Sequence, residues 1–313
     1  MKYVIKIGTS SLFNENGRVK EDVLSNILKT IRELKENGND VVLVVSGAVA
    51  CGKAKIRKIV KLIEKDDIDN VMYNKYKHLL NIINDANNKK GSITTIEKSV
   101  IAGIGQNEMM KIIQNKAFSY GILTEQMLVS GRADLKRSTA IKNINKCFEN
   151  GILAVVNAND TVYEEELADE GNEKFSDNDT LASDIAITIN ADRLFLITNV
   201  EGYLDKTGKV VKEITINNGN HYLKQTKQTK SSVGTGGMYS KLQNALSFAK
   251  IGGISHIISV NNISYIKDIA ELRIHAGTRI CKNLGQTDFV KELFTKQIDS
   301  INMIYTENSS EMI

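Results

Sequence analysis

Small residues, two lysines and a set of carboxylates sit where apolar runs end in this chain. Lys6 closes the first run and is followed by Gly8-Thr9-Ser10. Later runs end in Ser46-Gly47-Ala48 and in Asn157-Ala158-Asn159-Asp160. Ser176-Asp177-Asn178-Asp179 and Gly234-Thr235-Gly236-Gly237-Met238-Tyr239-Ser240-Lys241 each lead into a helical pattern. A glycine-rich segment at a helix start presents backbone N–H groups and the positive end of the helix dipole, which suits a phosphate. A lysine inside an apolar strand needs an anion to meet, because an unpaired buried charge is expensive. Taken singly, each loop reads as a tight turn; five of them in sheet order point to phosphate chemistry. Neither G-x-x-x-x-G-K-[ST] nor a G-x-G-x-x-G after the first strand occurs, so the P-loop and dinucleotide patterns find no support.

These loops need a scaffold that gathers them at one edge. Residues 3–7 form a short apolar strand, and 22–36 carry Val23, Ile27, Ile31 and Leu34 at helical spacing up to Asn37-Gly38. Residues 41–45 are a continuous β-branched and leucine run, the mark of a strand buried on both faces in a parallel sheet. Strand, helix and strand with short loops make a βαβ unit. The unit recurs: helix 138–149 before strand 152–156, helix 180–190 before strand 194–197, and helix 239–250 before strand 257–260. In an open parallel sheet ligands sit outside the carboxyl ends of the strands, where these loops lie. Between the second strand and Ala102 about fifty residues read as helices with an insertion, broken at 66–70 and 84–91. Beyond about Ile280 the periodicity fades into a short helix and a tail. One α/β domain of about 280 residues is expected, with room for a two-lobed division near Val200 inside one sheet.

Composition narrows the class. Of 313 residues, 42% are hydrophobic and 25% charged, enough for a sizeable core and against disorder. The net charge is +4, but residues 53–90 alone hold ten Lys/Arg against five Asp/Glu, so the basicity is local. Only Tyr73 and Tyr76 interleave with those lysines, which reads as a solvated helix face and not as a nucleic-acid surface. Cys51, Cys147 and Cys281 have no zinc or redox spacing, and their odd number argues against a disulfide framework, as in a reducing, cytoplasmic setting. His78, His221, His256 and His275 are as scattered, so no histidine metal site is expected. The longest apolar stretch, residues 41–51, is too short to cross a bilayer, and the N-terminal run carries a lysine and turns to glycine, unlike a signal peptide. Proline is absent, where average usage gives about 16.

The segments Lys6-Ile7-Gly8-Thr9-Ser10, Val45-Ser46-Gly47-Ala48-Val49-Ala50, Gly105-Gln106, Asn157-x-Asn159-Asp160-Thr161-Val162, Asp177-Asn178-Asp179 and Gly234-Thr235-Gly236-Gly237-Met238-x-x-Lys241 resemble, in order over about residues 2–280, the amino-acid kinase family. The resemblance is to the branch that phosphorylates glutamate. It implies a three-layer αβα sandwich with a mainly parallel central sheet, over a kinase domain at 1–280 that carries a Lys/Asn-rich insertion at about 54–92. It further implies ATP and Mg2+ as cofactors, and ATP-dependent phosphorylation of the side-chain carboxylate of L-glutamate to L-glutamyl 5-phosphate, the first step of proline biosynthesis. The alternatives are another family kinase acting on acetylglutamate, aspartate or UMP, or a catalytically weakened regulatory paralogue.

By the same resemblance, Lys6 and Lys241 neutralise charge on the moving phosphoryl group, and Asp177 and Asp179 hold the lysines. Ser46, Asp160 and Asn178, with Asn157 and Asn159, grip glutamate. Lys6, Gly8, Thr198, Asn199, Thr235, Gly236, Gly237, Met238, Tyr239, Ser240 and Lys241 line the ATP site, and no protein metal ligand is expected. Expected partners are L-glutamate, proline as a feedback inhibitor, a second copy of the chain, and transient contact with glutamate-5-semialdehyde dehydrogenase. No nucleic acid or membrane is among them. The chain departs from the family pattern at Ala158, where glutamate is usual, at Ser176, where glycine is common, and at Asn199, where aspartate often stands. Ala154 takes a place where proline is frequent. The tail at 281–313 is too short for the RNA-binding-like module that many relatives carry.

Overall fold

The computed structural model describes residues 1–65, 71–88, 90–136, 138–161, 177–228 and 237–282. In chain order its elements begin with β1 (Lys2–Ile7), α1 (Thr9–Leu12), α2 (Glu21–Glu36), β2 (Asp40–Val45), α3 (Ala48–Lys65), α4 (Val71–Asn87), α5 (Thr95–Ser119) and β3 (Thr124–Val129). There follow α6 (Arg132–Lys136), α7 (Ser138–Glu149), β4 (Leu153–Ala158), α8 (Asn178–Thr188), β5 (Arg193–Thr198), β6 (Glu213–Thr215), α9 (Gly219–Gln228) and α10 (Met238–Lys250). The series closes with β7 (Ile254–Ser259), a 3-10 turn (Val260–Tyr265), α11 (Ile266–Ala270) and β8 (Thr278–Cys281).

The strands form one sheet in the order β3-β4-β2-β1-β5-β7-β8-β6. All pairs are parallel except β7 with β8. Strands from before and after residue 200 belong to this one sheet. Both faces are covered, as the unbroken apolar runs require. Tyr3, Ile5 and Ile7 point with Val41, Leu43 and Val45 into a core shared with α2, α5 and α11. Val4, Val42 and Val44 point the other way, into a core shared with α7, α8 and α10. Along α2, Leu24, Ile27, Leu28, Ile31 and Leu34 are fully buried; each such side chain contributes roughly 1.5–3 kcal/mol relative to exposure. The result is the expected αβα arrangement.

The described part of the basic stretch is helical through Asn87. α4 packs on α3, and Ile56, Ile83 and Ile101 form a small core of their own under it. The helix runs through Asn87, past the start of the expected break at 84–91, while the break at 66–70 lies outside the described residues. α3 and α5 approach backbone to backbone: a Cβ on Gly52 would lie 1.9 Å from the Ile101 carbonyl oxygen, and one on Gly105 would lie 1.8 Å from that of Ala48. No helix among the described residues is long and apolar enough to cross a membrane.

Candidate active site

Side-chain alternation along β1 sends Lys6 to the same face as Val4, toward α8 and α10. There its Nζ meets Asp179 Oδ1 at 2.6 Å. Lys241, in the first turn of α10, reaches the other oxygen, Oδ2, at 2.8 Å. All three side chains are buried. Burial pushes the Asp179 carboxyl up, but the two ammonium groups and their hydrogen bonds outweigh it and hold it below the usual carboxylate range. Burial also lowers the Lys6 pKa, against the pull of Asp179, and the nearby Lys241 charge lowers it further.

Asp177 makes different contacts. It caps α8, accepting from the Asp179 amide at 3.1 Å, and it accepts the Ser240 hydroxyl of α10. Its carboxyl is raised, first by burial and then by the Asp179 charge. Asn244, one turn past Ser240, donates to Thr180 Oγ1 at 3.1 Å, and Ser183 donates to the Asn244 carbonyl at 3.0 Å. The starts of α8 and α10 are thereby tied together, and the anchored ends carry Asp179 and Lys241. Gly8, in extended backbone before α1, lies beside Lys6: a Cβ there would be 3.4 Å from Nζ.

A second group of residues lies beyond β2 and β4. Ser46 is buried at the end of β2. Gly47 follows at φ +130°, where a Cβ would drive into the Phe13 ring, 2.2 Å away, so glycine is required on both counts. Asn157 donates to Gln106 Oε1 at 2.7 Å and accepts from the Ala158 amide at 2.9 Å; Asn178 accepts from the same amide at 3.3 Å. Asn159 donates to Ser130 Oγ at 3.1 Å and accepts the Thr161 hydroxyl. A small cleft here is lined by Ala48, Ala102, Gln106, Ala158 and Asp160. Burial raises the Asp160 carboxyl to about 6.

Comparison with known proteins decides the family. The model of the amino acid kinase family matches residues 1–259. The chain belongs to the amino acid kinase family. A protein of Caldanaerobacter subterraneus subsp. tengcongensis called glutamate 5-kinase is 29% identical over 289 residues, 90% of this chain and 66% of that protein. One of the same name from Clostridium acetobutylicum is 30% identical over 82% of this chain and 86% of that protein. The chain spans 66% of the Caldanaerobacter protein and 58% of a Thermoanaerobacter one. A UMP kinase from Bacillus anthracis shares the fold, with a TM-score of 0.53 at 15% identity, over 90% of this chain and 96% of that one.

In this member of the family, the structure brings together Lys6, Asp177, Asp179, Ser240 and Lys241 in one group. Asn157, Asn159, Asp160 and Asn178 form the other. Thr198 ends β5 and Asn199 is exposed after it; Gly237, extended, precedes Met238 and Tyr239 in α10. Ser176, Gly234, Thr235, Gly236 and Val162 lie outside the described residues. Two polar partners had no assigned role in the sequence. Gln106 stood in a recognised pair, and its glycine neighbour, inside a helix, was the signal of a close approach. Asn244 carried no signal beyond lying three residues after Lys241.

Proposed function

We propose that this kinase transfers the γ-phosphoryl group of ATP to the side-chain carboxylate of L-glutamate, giving L-glutamyl 5-phosphate and ADP at the start of proline biosynthesis. The observation that carries this is the convergence of two buried lysines on Asp179. A site with two lysines so held supports that reading, since positive charge stabilises a phosphoryl group passing between two anions. The name glutamate 5-kinase on its relatives supports the acceptor.

A carboxylate is ionised at neutral pH and needs no base. One of its oxygens attacks the γ-phosphorus in line while the bond to the β,γ-bridging oxygen breaks; no proton moves. Charge spreads over the three oxygens of the transferring group, and Lys6 and Lys241 stabilise it. Asp179 fixes both lysines, and Asp177 with Ser240 fixes the helix starts that carry Asp179 and Lys241. Among the described residues, Gly8, Thr198, Asn199, Gly237, Met238 and Tyr239 are assigned to the nucleotide. Asp160 makes no hydrogen bond or ion pair among the described residues and takes the α-ammonium, while Ser46, Asn157, Asn159 and Asn178 position the rest of glutamate. A free ammonium on the acceptor answers that unpaired carboxylate, which favours glutamate over an N-acylated analogue.

The donor set suits magnesium carried on the phosphates and not a protein cage. Asp179 is committed to two ammonium groups, and Asp177 to a hydroxyl and an amide. Bound there, Mg2+ supplies charge neutralisation on ATP. The kinase domain of this reading covers 1–280. Proline as inhibitor, self-association, hand-over to glutamate-5-semialdehyde dehydrogenase and a cytoplasmic setting belong to the same reading. ADP release measured with glutamate, aspartate, N-acetylglutamate and UMP tests it: turnover with glutamate alone is expected, and turnover with another acceptor but not glutamate contradicts it.

A further inference from the structure

The 313 residues contain no proline. Average usage near 5% gives about 16, and a random draw returns none on the order of once in ten million chains. Two simple causes are a poverty of G and C in the coding sequence and a fold that has no room for proline. Glycine codons are as rich in G and C as proline codons, yet glycine occurs 22 times, about an average share. Base composition therefore does not account for the gap.

The fold does not account for it either. Proline is favoured as the first residue of a helix, where its missing N–H has no intrahelical partner in any case. The residue before it must be extended. Glu21 follows Lys20 at φ −79°, ψ 98°, and Thr95 follows Thr94 at φ −65°, ψ 162°. Met238 follows Gly237 at φ −67°, ψ 178°, and Val260 follows Ser259 at φ −69°, ψ 151°. Each is a helix start with an extended residue before it, the setting in which proline is favoured, and none holds one.

We infer that proline is excluded from this chain because the chain makes the precursor of proline, so that its own synthesis continues when proline-charged tRNA is exhausted. The inference rests on the glutamate reading above. A ribosome slows at each codon whose charged tRNA is scarce, and the stretch of message that encodes these 313 residues is exempt from that delay. The enzyme is then made at the moment when it is needed, from the amino acids that remain.

The test uses a bacterium deleted for its own glutamate-phosphorylating enzyme and carrying this chain behind an inducible promoter. Companion strains carry Glu21→Pro with Thr95→Pro, Glu21→Pro alone, or Glu21→Ala with Thr95→Ala. Glu21 makes an exposed ion pair with Lys116, and its loss matters little. Induced before proline is withdrawn, all strains should grow alike, which shows the variants active; if the double proline variant does not fold, the single one carries the comparison. Induced after withdrawal, the unaltered and alanine chains should accumulate and restore growth with one lag. The proline variants should lag at least threefold longer and accumulate several-fold less protein. Equal lags and equal accumulation overturn this inference alone. Failure of the unaltered chain, induced beforehand, to support growth without proline overturns the glutamate reading and this inference with it.

Discussion

Lys6 and Lys241 stand on the two oxygens of one carboxylate, at 2.6 and 2.8 Å from Asp179. One lysine comes from the first strand and the other from a helix near the far end of the described chain, so the contact closes the sheet onto α8 and α10. The arrangement separates two roles that substitution can tell apart. Lys241→Met leaves the Lys6–Asp179 pair in place; folding should be kept while kcat falls about 10²–10³-fold, the range for removing one charge-stabilising donor. Asp179→Asn removes the carboxylate charge that two buried ammonium groups share and should cost about 3–5 kcal/mol of stability. Thermal unfolding set beside steady-state kinetics distinguishes the two variants.

Asp160 predicts a pH dependence. Its carboxyl is raised from the ordinary 3.8 to about 6 by burial, so on the proposed reading, in which it meets the substrate ammonium, the free enzyme should lose that charge as pH falls through about 6. kcat/KM for glutamate should drop toward about tenfold per pH unit below that point. Asp160→Asn should give a lower, flat profile between pH 5 and 7. The sign for stability is opposite: the raised pKa favours the folded state at low pH, and this contribution is lost as pH rises from near 4 through about 6. The apo Asp160→Asn protein should therefore gain stability at pH 7 relative to the parent.

The α3–α5 contact leaves no room for a methyl group. Gly105→Ala sets a Cβ against the Ala48 carbonyl oxygen, and overpacking of this kind costs about 1–3 kcal/mol or more. The helices must part, which moves the neighbouring Gln106 away from Asn157. A lower Tm and a raised KM for glutamate are expected together, with KM for ATP little changed.

Gln106→Leu isolates the second part of that effect. It leaves the buried Asn157 amide without the acceptor it now has at 2.7 Å, a loss of about 1–3 kcal/mol. KM for glutamate should rise while kcat moves less, and Gln106→Glu, which keeps an acceptor, should recover part of the affinity.

The parts of this site that were legible in the sequence are those where chemistry contradicts burial. Lys6 inside an apolar strand announced an anion, and Asp179 supplies it. The parallel core strands were equally plain, because residues buried on both faces read as unbroken Val, Ile and Leu. β3 was not, because it pairs with β4 alone at the sheet edge and carries Glu125 on a half-exposed position and Gln126 on an exposed one. β6 and β8 are three and four residues long, too short for a period to show. β7 lies at Ile254–Ser259 and not at 257–260, since Ser255 and His256 are buried polar residues that hide the strand's start and Val260 opens a 3-10 turn. The division of labour between Asp177 and Asp179 was hidden as well. Two residues apart at a helix start, one caps and the other points inward, and only the backbone geometry tells which.

The central claim is that a carboxylate of glutamate takes the phosphoryl group directly. Incubating the chain with glutamate, ATP and Mg2+ in the presence of hydroxylamine traps an acyl phosphate as a hydroxamate. The account predicts glutamate 5-hydroxamate in amounts matching the ADP formed, and none with Lys241→Met. ADP released without hydroxamate, or hydroxamate formed as readily by Lys241→Met, would contradict it.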